Sequence, residues 1–349
     1  LAASKPWTGV GIGELSQYYE TGNNADPGRV SNVKGDSGGT SYGLYMFVEK
    51  TVGSFISWLQ KSDNKIYQGF GETLYNAWGY DVNNKWNPGY GTNFKNKWQS
   101  IGHGGNAKEF GQAQTDFWRD TQYTQLVANV EGQYKGFDID NYSNALKNVF
   151  WSRSVHHGVG ATYGSTKNPD GMSGATGVIY RAFTNRLGGF KMQSEAELIQ
   201  AIYAECSKLE PKYADMQNLT ASKYGIKNSS MAYFNANSGG VQTAVYSRLH
   251  VNEPADALVM RYSNTNAPVA EGKYLLLDNG DQNRAMQVTA NSAASVERAS
   301  GTGLTLTFYQ NGQYTLTASD GTRLTDENGT VKLTAPTASK SQFWTVENG

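Results

Sequence analysis

Two contrasting residue patterns meet near Asn264, and each restricts the folds open to its part of the chain. Before this residue, apolar side chains recur at the three- and four-residue spacing of amphipathic helices. After it, residues 270–349 alternate short Thr, Leu, Val and Tyr runs with Asn-Gly and Asp-Gly pairs, which are typical of β-hairpins. The sequence therefore predicts an α+β protein with a mainly helical domain at 1–264 and a small all-β domain at 265–349.

Several apolar stripes predict individual helices in the first domain. The clearest helix begins at Ser194-Glu195-Ala196-Glu197, a capping box that leads into an apolar stripe ending near Leu209. Three further stripes are Val52, Phe55, Ile56 and Leu59; Phe110, Ala113 and Phe117; and Leu146, Val149 and Phe150. The stretch 62–107 is rich in Gly, Asn and aromatic residues and shows little period, so part of it is expected to be long loop.

The composition narrows the class of partner. Thirty basic and thirty acidic residues cancel, so neither nucleic acid nor an anionic membrane surface is an expected partner. No apolar run reaches the roughly 18 residues that a membrane span requires. Cys206 is the only cysteine, which excludes an intramolecular disulfide, and its place on an apolar helix face predicts a buried, inert thiol. The 22 tyrosines and 8 tryptophans suit a cleft in which aromatic faces stack on sugar rings.

Two carboxylates lie on either side of a Gly- and Asn-rich turn between residues 20 and 47. Glu20 is expected to end a short helix, Gly13–Glu20, where a partly desolvated carboxyl can act as a general acid. Asp36 lies in a polar glycine cluster and is expected to stay ionised. A pair of carboxylates across a cleft is what hydrolysis of a glycosidic bond requires.

The same stretch contains Gly35-Asp36-Ser37-Gly38-Gly39, the nucleophile motif of trypsin-like serine proteases. A serine nucleophile needs a general base and a group that orients it. In trypsin-like enzymes the histidine and the aspartate precede the serine, whereas all four histidines of this chain follow Ser37. The protease interpretation is therefore not favoured.

Adjacent histidines at 156 and 157 suggest a metal site only superficially. Neighbouring residues of a regular helix cannot both face one ion, and no His-Glu-x-x-His motif accompanies them. Neither a metal nor another cofactor is expected, and His157 is instead a candidate for contact with sugar.

Five segments, in order along the chain, carry a resemblance to a known family. They are Tyr19-Glu20-Thr21-Gly22 through Asp26-Pro27-Gly28 to Gly35–Tyr45; Phe110–Gln114; Trp151–Gly158; Glu197–Glu205; and Arg248 through Glu253 to Leu258. Together they resemble lysozyme-like peptidoglycan hydrolases of phage endolysins, tail lysins and bacterial cell-wall enzymes, and more distantly goose-type lysozymes and chitosanases. Met46 and His156 depart from that pattern, where the family has glutamine.

The resemblance implies a lysozyme-like catalytic domain with a small β-hairpin, acting outside the cell or on a phage. Glu20 would be the general acid and Asp36 the base or electrostatic stabiliser, with Glu14 a less favoured second carboxylate. Substrate would contact the side chains of Tyr42, Tyr45, His157 and Gln114. The implied reaction is glycosidic hydrolysis of peptidoglycan or a related polysaccharide, with the bond and the stereochemistry left open. The alternatives are a chitosanase- or chitinase-type glycosidase, or a non-catalytic glycan-binding or phage structural protein.

The second domain resembles two lobes of a ricin-type β-trefoil, since it shows a 40-residue period and ends in Ser341-Gln342-Phe343-Trp344. A trefoil needs three lobes, so a small β-sandwich or an incomplete barrel is an equal alternative. A glycan-binding module is favoured over a structural or assembly module. The oligomeric state is left open by the sequence.

Overall fold

A computed structural model describes the chain in nine segments, and all structural statements below concern these residues. The segments are 11–22, 25–32, 40–78, 91–160, 172–207, 244–261, 269–308, 313–337 and 339–346.

Helices dominate the described residues up to residue 261. The α-helices are α1 Glu14–Thr21, α2 Glu49–Gln60, α3 Lys65–Ala77, α4 Thr92–Gly102, α5 Ala107–Trp118, α6 Thr124–Gln133, α7 Asn144–His157, α8 Gly174–Arg181, α9 Glu195–Ser207 and α10 Glu253–Met260. Short π-helical turns lie at Arg119–Tyr123, Ala182–Arg186 and Arg248–Asn252. Helices α2, α5, α7 and α9 confirm the helices predicted from apolar spacing, and α1 confirms the short helix predicted at Gly13–Glu20.

The predicted capping box at the start of α9 forms in full. The Ser194 hydroxyl accepts a hydrogen bond from the Glu197 amide at 3.1 Å, and the Glu197 carboxylate accepts one from the Ser194 amide at 2.8 Å. The apolar stripe that follows is buried, including Cys206, which confirms the expected buried thiol.

Helices α3 and α4 lie within the stretch 62–107, and the long loop expected for part of it stays a prediction. Tyr67, Phe70 and Leu74 recur at helical spacing and are buried, and the Asn64 side chain caps α3 by accepting from two first-turn amides. The interleaved glycines hid this periodicity. Residues 79–90 lie outside the described part.

Two antiparallel sheets and a hairpin make up the β structure. A small sheet orders β1 Val30–Ser31, β2 Ser41–Tyr42 and β3 Phe47–Val48 side by side. The C-terminal strands are β4 Gly272–Tyr274, β5 Arg284–Val288, β6 Ala293–Glu297, β7 Leu304–Phe308, β8 Gln313–Thr317, β9 Arg323–Glu327, β10 Thr330–Thr334 and β11 Trp344–Thr345. Their main sheet runs β10-β9-β8-β7-β4, with β11 also paired to β8, and β5 pairs with β6.

The C-terminal strands confirm the predicted β structure. At Asn328-Gly329 both residues have positive φ, 55° and 86°, and they join β9 to β10 through the two-residue turn that such pairs favour. Strands β7 to β10 pair in sequence as a meander, which differs from the repeated lobes of a trefoil. The resemblance to ricin-type lobes was therefore misleading, because Asn-Gly turns and a Gln-x-Trp ending fit any small antiparallel sheet.

Two hydrophobic clusters organise the interior. The larger includes buried side chains from α1 through α10, and the smaller lies between the C-terminal strands. The α+β class is thus confirmed. The predicted boundary at 264–265 lies outside the described residues, and the division into domains stays a prediction.

Candidate functional site

Glu20 lies near the C-terminal end of α1, a short helix bounded by two glycines. Gly13 precedes it with φ of 104° and Gly22 follows with φ of 77°, left-handed conformations that favour glycine. The Glu20 side chain is about 15 % exposed, and its Oε1 accepts a hydrogen bond from Nη1 of Arg248 at 2.7 Å. One carboxylate oxygen is thus held by a guanidinium, and Oε2 accepts no hydrogen bond from any described residue.

Arg248 links Glu20 to the buried interior. It begins the π-helical turn before α10, and its Nε donates to Oε2 of Glu253 at 2.5 Å. Its guanidinium also lies over the Tyr19 ring, 5.2 Å from the ring centroid, in a cation–π contact. Burial lowers the pKa of Arg248, but Glu20 and Glu253 outweigh burial and the pKa is raised overall. Arg248 therefore remains a cation between two carboxylates.

Glu253 is the most connected residue of this site. Its fully buried carboxylate also accepts hydrogen bonds from Arg153 at 2.7 Å, from the Tyr203 hydroxyl at 2.7 Å and from the Ser152 hydroxyl. Burial alone would raise the pKa of Glu253, yet Arg153 and Arg248 lower it to about 2. Full pairing is what makes such burial of charge tolerable.

These four charged residues form what we call the Glu20 network: Glu20, Arg248, Glu253 and Arg153. Two arginines and two glutamates give it no net charge. It joins α1, α7 and α10, helices that are far apart in the sequence, and so it fixes where Glu20 lies.

His157 lies at the other end of this network. Its Nε2 is 3.1 Å from Nη1 of Arg153, one helical turn earlier on α7. His156 is half-buried, and its pKa is lowered well below its ordinary value by burial and by the neighbouring Arg248, His157 and Arg153. Within the nine described segments, no group of three His, Cys, Asp or Glu side chains is placed to hold a metal ion.

The remaining predicted substrate contacts lie in the core. Tyr42, Tyr45 and Gln114 are buried, and Gln114 bonds the Leu44 amide and the Pro27 carbonyl. A side chain at Gly43, where φ is 72°, would clash with Gln114. In the described chain these residues support the turn between β2 and β3, and a role in contacting substrate stays a prediction.

The structure describes only one of the two candidates for the second carboxylate. Asp36 and the rest of Gly35–Gly39 lie outside the described residues. Glu14 is half-exposed in the first turn of α1, nearly two turns before Glu20. The carboxylate that the structure does link to Glu20, through Arg248, is Glu253.

Sequence reasoning assigned no role to Arg153, Arg248 or Glu253, although two of the matched segments contain them. Arg248 and Glu253 are five positions apart, and their side chains meet because the helix between them is π-helical. Their burial depends on packing between distant helices, which no local pattern reveals.

Comparison with protein families gives a match. The family model described as type VI secretion system spike protein VgrG3-like, C-terminal, matches residues 12–230, more than half of the chain. The chain belongs to this family. None of the curated proteins compared with this VgrG3-like domain matches it.

This match corrects two conclusions drawn from the sequence. The family is that of a secretion-system spike protein, so the assignment to the lysozyme-like peptidoglycan hydrolases is wrong, and so is the function taken from it. The reason lies in what the short motifs encode. Gln114 and Trp151, two of the matched positions, are buried, so packing in the core is enough to account for these motif residues.

The match associates the VgrG3-like domain with a secretion system. Across the parts of the chain that the structure describes, no helix combines the length and the apolar character that crossing a bilayer requires.

Proposed function

We propose that this chain is a module carried by a type VI secretion spike and that it binds polysaccharide of the envelope that the spike meets. The family match over residues 12–230 is the observation that carries this proposal. The expected ligand is peptidoglycan or a related polysaccharide, met outside the producing cell. The aromatic-rich composition suits this ligand, because ring faces stack on sugars.

Binding is favoured over catalysis because of the hydrogen bond that Glu20 accepts from Arg248. A general acid must donate a proton to the substrate, whereas one oxygen of Glu20 already accepts a hydrogen bond from the partly buried guanidinium of Arg248. Charge-assisted bonds of this kind are shorter and stronger than neutral ones. The arrangement suits a carboxylate that holds α1 against α10.

A sedimentation assay tests this proposal. The full chain is mixed with insoluble peptidoglycan sacculi, with chitin and with cellulose, and the protein in each pellet is measured. We expect retention on the first two materials, which are built from amino sugars, and little on cellulose. If the folded chain stays in the supernatant with all three, the proposal is wrong.

A second candidate function is hydrolysis of a glycosidic bond in a chitin-type polysaccharide, and one observation favours it. Oε2 of Glu20 accepts no hydrogen bond from a described residue, and the side chain is partly exposed, so an anchored carboxylate oxygen is available to a ligand. In glycosidases a carboxyl group donates the proton to the leaving oxygen.

Release of reducing ends from chitin tests this second candidate. Wild type is compared with Glu20→Gln and with Glu72→Gln, an exposed position on α3 that serves as the matched control. Catalysis predicts release by wild type and by the control but not by Glu20→Gln. If Glu20→Gln still releases reducing ends, or if wild type releases none, Glu20 does not catalyse hydrolysis.

A further inference from the structure

An open groove lies beside α2, separate from the Glu20 network. Its volume is about 780 Å³, within the usual range of small-molecule sites. The groove is lined by Glu49, Lys50, Gly53, Ser54, Ser57, Trp58 and Lys61 on one side and by Trp78, Phe117, Thr121 and Gln122 on the other. No residue of the Glu20 network is among them.

One face of α2 builds this groove. Positions 50, 53, 54, 57, 58 and 61 follow helical spacing, opposite the buried face that contains Val52 and Leu59. Small residues in the middle leave the groove open, and a Cβ on Gly53 would lie 3.2 Å from the Trp78 ring. The two lysines at the ends are about 16 Å apart along the helix axis. The groove is therefore long enough for several linked sugar rings.

The aromatic floor is held in a fixed orientation. Trp58 is partly exposed and packs against Phe117, with ring centroids 5.8 Å apart, and against Tyr67 at 5.9 Å. The ring therefore contacts buried aromatic side chains and also lines the groove. A preorganised ring of this kind can stack on a sugar without first being ordered.

The opposite wall depends on an irregular helix. Thr121 and Gln122 lie in the π-helical turn Arg119–Tyr123 and line the groove, and the Thr121 hydroxyl donates a hydrogen bond to the Phe117 carbonyl oxygen. Such turns occur frequently at functional sites. The Gln122 amide and the exposed hydroxyls of Ser54 and Ser57 offer donors and acceptors suited to sugar hydroxyls.

The charges on the rim select among sugars. Lys50 and Lys61 are exposed, and neither forms an ion pair with any residue in the described part of the chain. Among the described residues, Glu49 is the only carboxylate that lines the groove with them. The net charge is positive, so a ligand that carries carboxylates is favoured over a neutral one.

We propose that this groove binds a carboxylate-bearing oligosaccharide, with the Trp58 ring stacked on a sugar and Lys50 and Lys61 paired with its carboxylates. This inference rests on the proposed function, since it assigns polysaccharide binding to a definite surface.

Calorimetric titration of the full chain with two soluble ligands tests the inference. One is a peptidoglycan glycan-strand fragment stripped of its peptides, in which every muramic acid carries a free carboxylate. The other is chitotetraose, which has the same backbone sugar without carboxylates. We expect tighter binding of the strand fragment, weakened by added salt because exposed charge pairs are screened.

Variants of the groove separate the contribution of the lysine charges to binding from that of the Trp58 ring. Lys50→Glu combined with Lys61→Glu is expected to weaken binding of the strand fragment about tenfold or more. Lys97→Glu combined with Lys108→Glu makes the same change in net charge at exposed positions outside the groove, and should bind like wild type. Trp58→Ala is expected to weaken the binding of both ligands. If Trp58→Ala does not fold, the two double-lysine variants test the inference by themselves.

Two results overturn the inference. One is equal binding by the two double-lysine variants, and the other is equal affinity of wild type for the two ligands. If sacculi still retain the Lys50 and Lys61 variant as well as wild type, only the groove assignment fails. If wild type binds no polysaccharide at all, the proposed function fails with it.

Discussion

Arg323 on strand β9 donates a hydrogen bond through Nη1 to the carbonyl oxygen of Met192, 2.8 Å away. The same nitrogen is 3.3 Å from the carbonyl oxygen of Lys191. Arg323 is only about 5 % exposed, so this contact ties the C-terminal sheet to the segment before α9 without competition from water. A second contact is the ion pair between Arg261, just after α10, and Glu271, in which Nη1 lies 3.0 Å from Oε1.

Replacing Arg323 tests how strongly the sheet is held. Arg323→Ala leaves two carbonyl oxygens without their charged donor, and we expect the free energy of unfolding to fall by about 1–3 kcal/mol. Urea unfolding followed by far-UV circular dichroism measures it. Arg298→Ala, at an exposed position of the same β region, should change it by less than about 0.5 kcal/mol. Equal effects of the two variants would contradict the role given to Arg323.

Removing the charge of Glu253 should destabilise the protein strongly. Glu253→Gln leaves Arg153 buried without its counter-ion, and breaking a buried pair in this way costs about 3–5 kcal/mol. Urea unfolding at pH 7 measures the change, with Glu72→Gln as the exposed control. A loss below about 1 kcal/mol would mean that the Glu20 network contributes little to stability.

The pKa of Glu253 also predicts how stability depends on pH. The pKa is about 2 in the folded protein and 4.5 ordinarily, so the folded state holds the charged form more strongly than the unfolded state does. The resulting stabilisation is complete above pH 4.5 and is lost as the pH falls towards 2. The difference in unfolding free energy between wild type and Glu253→Gln should therefore shrink between pH 6 and pH 3. A constant difference would count against the lowered pKa.

His156 predicts a second pH dependence, at milder acidity. Its pKa lies well below 6.5, because burial and the nearby Arg248, His157 and Arg153 disfavour the charged ring. The unfolded state therefore takes up the proton first, and stability falls as the pH drops below 6.5. His156→Gln should flatten this part of the profile between pH 7 and pH 5. An NMR titration of wild type in which the His156 ring titrates near 6.5 would refute the explanation.

Local patterns were enough to predict much of the secondary structure. Ser194 and Glu197 form their capping box, and Asn328-Gly329 turns the chain as its residue types require. Helices α3 and α4 were missed because glycine and asparagine mask their apolar period, although Asn64 marks the start of α3. Local sequence rules therefore predict caps and turns well, but they miss a helix whose apolar spacing is interrupted by glycine and asparagine.

The candidate site was harder to predict. Glu20 was singled out from its place at the end of a short helix, but its partner Arg248 lies 228 positions away. Tyr42, Tyr45 and Gln114 attracted attention as polar or aromatic motif residues, yet their side chains are buried. Whether such a residue faces a ligand or the core is decided by tertiary packing, which a single sequence does not encode in any local pattern.

The burial of Cys206 has a practical consequence for experiments on this protein. Its thiol is inaccessible, and burial raises the thiol pKa to about 11, so little reactive thiolate exists near neutral pH. No other cysteine is present in the chain. A single cysteine introduced on the surface, for example at Ser57, would therefore react alone with a spin label or fluorophore, and distances to a second probe could be measured without first removing a native thiol.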